Sequence, residues 1–198
     1  IKETEQSIIN FKNSIEIKNL SISYKNDSNF ILEDINLEIK KGDKIGIVGE
    51  SGTGKSTFLD CLMGLVKPSS GDILVDGKNI FSIIREWHKK IGYVPQSIYL
   101  IDDTIKKNIA FGEDDKDINE KNIHQSIKDS ELLNLINNLP EKENSIIGEK
   151  GAKISGGEMQ RIAIARSLYI NPEIIIFDEA TSGLDPDTES KIIDSINK

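Results

Sequence analysis
A chain of 198 residues, 37% hydrophobic and 29% charged, is long enough for one sizeable core, and its length allows one or two domains. A formal net charge of -8 leaves no basic face of the kind a phosphate backbone requires, which argues against a general nucleic-acid binder. The single cysteine, Cys61, excludes an intrachain disulfide framework and suits a reducing compartment, and no apolar run approaches the ~18 to 20 residues of a membrane-crossing helix.

From the N-terminus, residues 1–11 are polar with scattered isoleucines and read as a linker. Ser14 to Tyr24 (SIEIKNLSISY) and Phe30 to Ile39 (FILEDINLEI) alternate apolar and polar residues at the period of a half-buried strand. The polar run KNDSN between them predicts an antiparallel hairpin. Tyr24 lies near the tip of the first strand, either as an ordinary strand tyrosine or as a face on which a base could stack. Lys44 to Val48, KIGIV, predicts a further strand behind this layer.

That run leads into Gly49, Glu50, Ser51, Gly52, Thr53, Gly54, Lys55, Ser56 and Thr57, which fit GxxxxGK followed by Ser or Thr. A strand, a glycine-rich loop and a helix in succession turn backbone N–H groups inward as an anion nest. The helix adds the positive end of its dipole, so a polyphosphate fits there. In this pattern Lys55 reaches the β and γ phosphates and the Ser56 hydroxyl ligates Mg²⁺. A chance glycine turn is the bland alternative, and the context weighs against it. Phe58, Leu59, Leu62 and Met63 follow at helical spacing up to Val66, where KPSSG ends the helix. Cys61 falls inside it as a packing residue.

DILVDG, Asp72 to Gly77, predicts a short strand with a turn, and Ile91 to Val94 a second one closed by Pro95 and Gln96. Trp87 and His88 read as packing or surface residues, and a lone histidine gives no ground for a metal. Between 97 and 152 strands disappear and Asn, Lys, Asp and Glu become dense. Asp117 to Glu120, DINE, has the residues of a capping box, with helical apolar spacing through Ile123 and Ile127. Ser130 to Asn138 predicts another helix, stopped by Pro140. We read about 97–170 as a helical insertion within one α/β domain.

Ile154 to Leu168, ISGGEMQRIAIARSL, opens a helix with two glycines, each costing about 1 kcal/mol relative to Ala. Ser155 and Glu158 form an SxxE capping box, so a plain capped helix accounts for them. It does not account for Gly156 and Gly157, which leave the first amides bare and suit close approach of an anion. EIIIF, Glu173 to Phe177, has the apolar continuity of a central parallel strand covered on both faces. Asp178 and Glu179 stand at its C-terminal end, where open α/β sheets place their ligands. Two solvated acids are the bland alternative; beside a phosphate loop, Asp178 can hold Mg²⁺ and Glu179 can polarise a water for in-line attack. Asp185 and Pro186 supply an N-cap and first-turn proline for a final helix.

In this order the motifs resemble the nucleotide-binding domain of the ABC ATPases, from about Phe11 to the end. The resemblance implies a P-loop NTPase (RecA-like) α/β core over residues 12–198, with an N-terminal antiparallel β layer and an inserted helical subdomain. It makes Tyr24 the adenine-stacking aromatic, Gly49 to Ser56 the Walker A loop, and Gln96 the Q-loop glutamine at Mg²⁺ and water. Ser155 to Glu158 match the signature motif, IIIFDE matches Walker B with Glu179 as catalytic base, and SGLD, Ser182 to Asp185, matches the D-loop. TIKKNIAFG, Thr104 to Gly112, and IGEKG, Ile147 to Gly151, are similar to exporter segments, with Glu149 facing coupling helices of a membrane domain.

The resemblance further implies ATP and Mg²⁺ as ligands, a head-to-tail dimer with a second ABC domain, and a place at the cytoplasmic face of the cell (inner) membrane. Three features depart from the family pattern. ISGGE stands where LSGGQ is usual, Gly183 stands where Ala is common and loosens the D-loop, and the switch histidine of the pattern falls beyond Lys198. Neither His88 nor His124 matches that histidine. The chain starts at Ile1 rather than Met and stops inside the helical pattern IDSINK, so it reads as an excerpt, truncated at its C-terminus, that turns ATP over poorly by itself. A soluble ABC ATPase of translation or DNA repair is the alternative; the absence of sustained heptads between Lys55 and Ser155 disfavours the coiled-coil members.

Overall fold
The alternating run at the N-terminus becomes the middle of a sheet. In a computed structural model that describes residues 11–23, 30–148, 154–179 and 183–196, β1 (Ser14–Ser23) pairs antiparallel on one edge with β2 (Phe30–Lys40) and on the other with β3 (Ser70–Val75). The short β4 (Lys78–Asn79) completes the order β2-β1-β3-β4. Ile15, Ile17, Leu20 and Ile22 of β1 are buried, as the period required. The alternation resets at a bulge where Asn19 and Asp34 both take left-handed backbone (φ 48 and 49). Side-chain amides and carboxylates hold it there: Asn19 N–H donates to Asn36 Oδ1, and Asn19 Nδ2 to Asp34 Oδ1, both at 2.9 Å.

The DG turn after β3 carries more than a change of direction. The Asp76 carboxylate accepts the backbone N–H groups of Lys12 (2.6 Å), Asn13 (2.8 Å) and Ser14 (3.1 Å), which pins the start of β1. Burial works to raise its pKa, but the N–H groups of Lys12, Ser14 and Asn13 outweigh it and hold the carboxyl below the usual aspartate range. A lowered folded-state pKa contributes stability that is present above the unfolded value and lost as pH falls through the folded one. Asp76→Ala is therefore expected to cost about 1 kcal/mol near neutral pH, a fall in Tm of roughly 2 to 4 °C. In thermal melts the gap to the parent chain should close as the pH is taken below the aspartate range.

Lys44 to Val48, predicted as a strand, forms none: Ile45 is 49%, Ile47 41% and Val48 93% exposed. An apolar run marks side chains that favour burial, but a strand also needs a ladder partner. In this part of the chain both edges of β1 are already taken by β2 and β3. Past the loop, α1 (Lys55–Leu62) ends four residues earlier than the apolar spacing predicts. The cause is Gly64, whose φ of 78 takes the backbone out of the helix. Helix α2 (Ile84–His88) buries Trp87 completely, its Nε1 donating to Leu62 O at 2.9 Å, while a His88 ring nitrogen lies 3.0 Å from Met63 O. Cys61 is buried and its thiol is pushed up to about 11 by that burial, with Asp60 adding to the effect, so it is a packing group.

Residues 1–89 and 90–198 form two compact units. In the second, β5 (Ile91–Val94) pairs in parallel with β6 (Ile174–Phe177), from Ile91 opposite Ile174 to Val94 opposite Phe177. The parallel direction is as expected. Among the described residues, however, β6 has this one neighbour and is half-buried rather than covered on both faces. The helical stretch comprises α3 (Ile105–Ile109), α4 (Glu120–Asp129), α5 (Leu133–Asn138) and α6 (Gly156–Tyr169). Its core includes Leu100, Ile105, Ile123, Ile127, Ile162 and Tyr169, and α3 and α4 both pack on α6.

Two boundaries differ from expectation. The predicted cap at Asp117 is displaced to Asn119, whose Oδ1 accepts the Asn122 N–H at 3.2 Å, and Asp117 closes a 3-10 turn instead. Asn119 is as good a cap as Asp, and it sits where the Ile123–Ile127 face begins. Helix α5 starts at Leu133 rather than Ser130 because Glu131 adopts φ 57. The final helix α7 (Pro186–Ile196) begins as predicted, with Asp185 Oδ1 accepting Thr188 N–H at 3.0 Å.

Candidate functional site
The predicted site residues fall in both units. In the first, Gly54 ends the loop with φ 89, a left-handed conformation that a side chain would strain. A Cβ there would also lie 2.8 Å from Cγ2 of Ile31 in β2, so the loop is pressed onto the sheet. Thr53 Oγ1 donates to Glu50 O at 2.9 Å. Lys55 Nζ donates to Gly49 O and Glu50 O, both at 2.8 Å, which fixes the ammonium over its own loop. No side chain caps α1, and Ser56 in its first turn is exposed. These are the features of an anion nest at a helix N-terminus: bare backbone, a positive dipole end and a fixed cation.

In the second unit, Gln96 lies two residues beyond β5 while Asp178 and Glu179 follow β6. Parallel pairing brings all three to the same C-terminal end. Asp178 N–H donates to Val94 O at 3.0 Å, continuing the ladder into the acid pair. Gln96 Nε2 donates to Glu179 Oε2 at 2.6 Å, across 83 residues of sequence. Tyr93 OH lies 3.5 Å from Asp178 Oδ2, the outer limit of a hydrogen bond. Glu179 takes φ 53, an uncommon backbone for a non-glycine residue and one found at functional sites. Since Gln96 donates through nitrogen, its Oε1 remains an acceptor. That oxygen and the Asp178 carboxylate, at the same end of the β5–β6 pair, are hard donors of the kind that suit Mg²⁺.

The N-terminus of α6 is the third part. Ser155 and Glu158 make the predicted capping box: Glu158 N–H donates to Ser155 Oγ at 3.3 Å, and Ser155 N–H and Oγ both approach Glu158 Oε2 at 2.7 Å. The Ser155 amide is the main cause of a Glu158 pKa held below the usual range, with the Ser155 hydroxyl and Arg161 acting in the same direction against burial. A Cβ at Gly156 would meet nothing within 4 Å among the described residues, and one at Gly157 would meet only ordinary contacts with Gly183 O and Arg161 Nη1. Neither glycine is required by packing among the described residues. Gly183 is different. A Cβ there would lie 2.7 Å from Oε1 of the buried Gln160 of α6, so a side chain at 183 would have to displace that amide.

Tyr24, Glu149 and Ser182 lie outside the described residues. Three residues that the sequence reading did not single out belong to this architecture. Tyr93 supports Asp178, and Arg161 stands one turn beyond Glu158 and acts on both Glu158 and Asp185. Arg166 ties α6 to the segment after Gln96, donating from Nε to Asn108 O (2.7 Å) and from Nη1 to Tyr99 O (3.0 Å), with Phe111 under its guanidinium. Two arginines on an otherwise apolar helix, QRIAIARSL, were the available signal.

The sequence profile of the family described as ABC transporter matches residues 32–182. The leukotoxin translocation ATP-binding protein LktB of Mannheimia glucosida is 42% identical over 193 residues, which is 97% of this chain and 27% of that protein. ATP-binding cassette sub-family B member 5 of Mus musculus is 42% identical over 187 residues, 93% of this chain and 15% of that protein. A bacterial Atm1-family ABC exporter solved with ATP bound is similar in structure, with a TM-score of 0.88 and 35% identity over 98% of this chain and 34% of that one. The chain thus spans about a quarter or less of the two curated relatives. No helix among the described residues is long and apolar enough to cross a membrane. A phosphate-type loop, an acid pair at the end of a parallel strand and a capped SGGE helix, together with these matches, place the chain in the ABC transporter family as an ATP-binding domain.

Proposed function
We propose that this chain is the ATP-hydrolysing domain of an exporter and that its nucleotide site is completed by a second ABC domain placed head to tail. The observation that carries the reading is Gly156, a residue bare of side chain at an exposed helix N-terminus, for which packing among the described residues has no use. A phosphate held by the loop of a facing copy is a partner for that bare end. In this reading the backbone of Gly49 to Thr57 cradles the phosphates and Lys55 supplies their counter-charge. Ser56, Gln96 and Asp178 would hold Mg²⁺, which when bound neutralises charge on the phosphate oxygens.

Glu179 accepts a proton from the attacking water, and the amide of Gln96, 2.6 Å away, orients its carboxylate. Closure on ATP and opening after hydrolysis then move a membrane domain through the helical stretch, at the cytoplasmic face of the membrane. The sub-family B and Atm1-family likenesses support the exporter branch. The loop's part is tested by Lys55→Ala, read as ATP affinity in a calorimetric titration. Loss of charge-assisted bonds of about 1.5 to 3 kcal/mol is expected to weaken binding roughly 10- to 150-fold. Unchanged affinity would remove Lys55 from the site.

A further inference from the structure
The capping box at the start of α6 has a consequence that a neutral residue at 158 would not have. Ser155 offers two donors at this helix N-terminus, its N–H and its hydroxyl, and both reach the same oxygen, Glu158 Oε2, at 2.7 Å. The carboxylate lies beside Gly156 and Gly157, the bare stretch to which the proposed function assigns the phosphate of a facing copy. Arg161, one turn further along, offsets part of the charge, and it serves Asp185 as well.

We infer that Glu158 is a positioning residue that acts as a built-in competitor of the nucleotide. It holds the two Ser155 donors that the phosphate would take, so each closure must first release them. The inference rests on the head-to-tail reading and adds to it a chain-specific restraint on closure. Hydrogen bonds to a charged acceptor are roughly twice as strong as those to a neutral one. Glutamine at 158 can keep the capping geometry while giving up that advantage and the like charge beside the phosphate.

The test is self-association of the full chain as a function of ATP concentration, by sedimentation velocity, with Glu179→Gln present throughout to suppress turnover. Glu158→Gln is expected to lower the ATP concentration for half-maximal association by about three- to tenfold. Glu158→Ala is expected to shift it in the same direction while lowering Tm, because it removes the cap as well as the competitor. A purely structural cap predicts the opposite for Glu158→Ala, so weaker association in that variant, or no shift in Glu158→Gln, overturns the inference and leaves the head-to-tail reading standing. Absence of ATP-dependent association in the parent and both variants overturns the two together.

Discussion

Glu179→Gln is expected to lower ATP turnover roughly 10²- to 10⁴-fold, the usual contribution of a positioned general base, while ATP binding stays within a factor of two or so. The expectation follows from the end of β6. Glu179 is exposed, takes φ 53 and accepts a hydrogen bond from Gln96 Nε2 at 2.6 Å, so an amide helps to orient its carboxylate. Glutamine in its place keeps size and hydrogen bonding but takes no proton. The second acid, Asp178, is unchanged and in the proposed reading still holds the cation. Single-turnover measurements separate the two quantities, since binding is read before chemistry. Turnover that persists in the variant would assign the base elsewhere, and lost binding would make Glu179 a ligand of the nucleotide instead.

The second large effect is expected at Gly156. Replacing it with Asp places a carboxylate at the first helical position of α6, where a Cβ would meet nothing within 4 Å among the described residues. For the chain by itself this is favourable. The change removes a poor helix former and adds an acid at the positive end of the helix dipole, so Tm should stay level or rise. For a phosphate approaching from a second copy it is unfavourable. Two unit charges about 4 Å apart repel by roughly 1 to 4 kcal/mol between bulk-water and surface-like dielectric, a five- to several-hundred-fold loss of ATP-driven association. Stability and association are thus expected to move apart, which a folding defect could not produce.

What could be read from the sequence was local. Ser155 and Glu158 are three residues apart, and their reciprocal cap follows from helix geometry alone. The hairpin was legible because β1 and β2 alternate and are close in sequence; its bulge at Asn19 and Asp34 was not, because the period resets there. The apolar run KIGIV named side chains that favour burial without supplying the strand that would pair with them. The cap of α4 moved two residues because Asn119 competes with Asp117 on equal chemical terms.

The contact of Gln96 with Glu179 spans 83 residues and depends on β5 and β6 lying parallel and in register. Family likeness named both residues, but only the fold brings their side chains together. Gly183 makes the same point in reverse. Its small size reads as looseness in sequence, and the fold adds that a Cβ there would lie 2.7 Å from Gln160 Oε1.

The central claim is that the phosphate loop of one chain works with the α6 N-terminus of another. Mixing two defective chains tests it directly. Lys55→Ala removes the loop's cation and leaves α6 intact; Gly156→Asp blocks α6 and leaves the loop intact. Each variant alone has two impaired sites in a symmetric dimer. A head-to-tail mixed dimer has one site built from the sound loop of one chain and the sound helix of the other. The account predicts that ATPase activity, near background for either variant alone, returns on mixing in proportion to the mixed dimer formed. If each loop worked with the helix of its own chain, the mixture would stay at background, and that result would contradict the account.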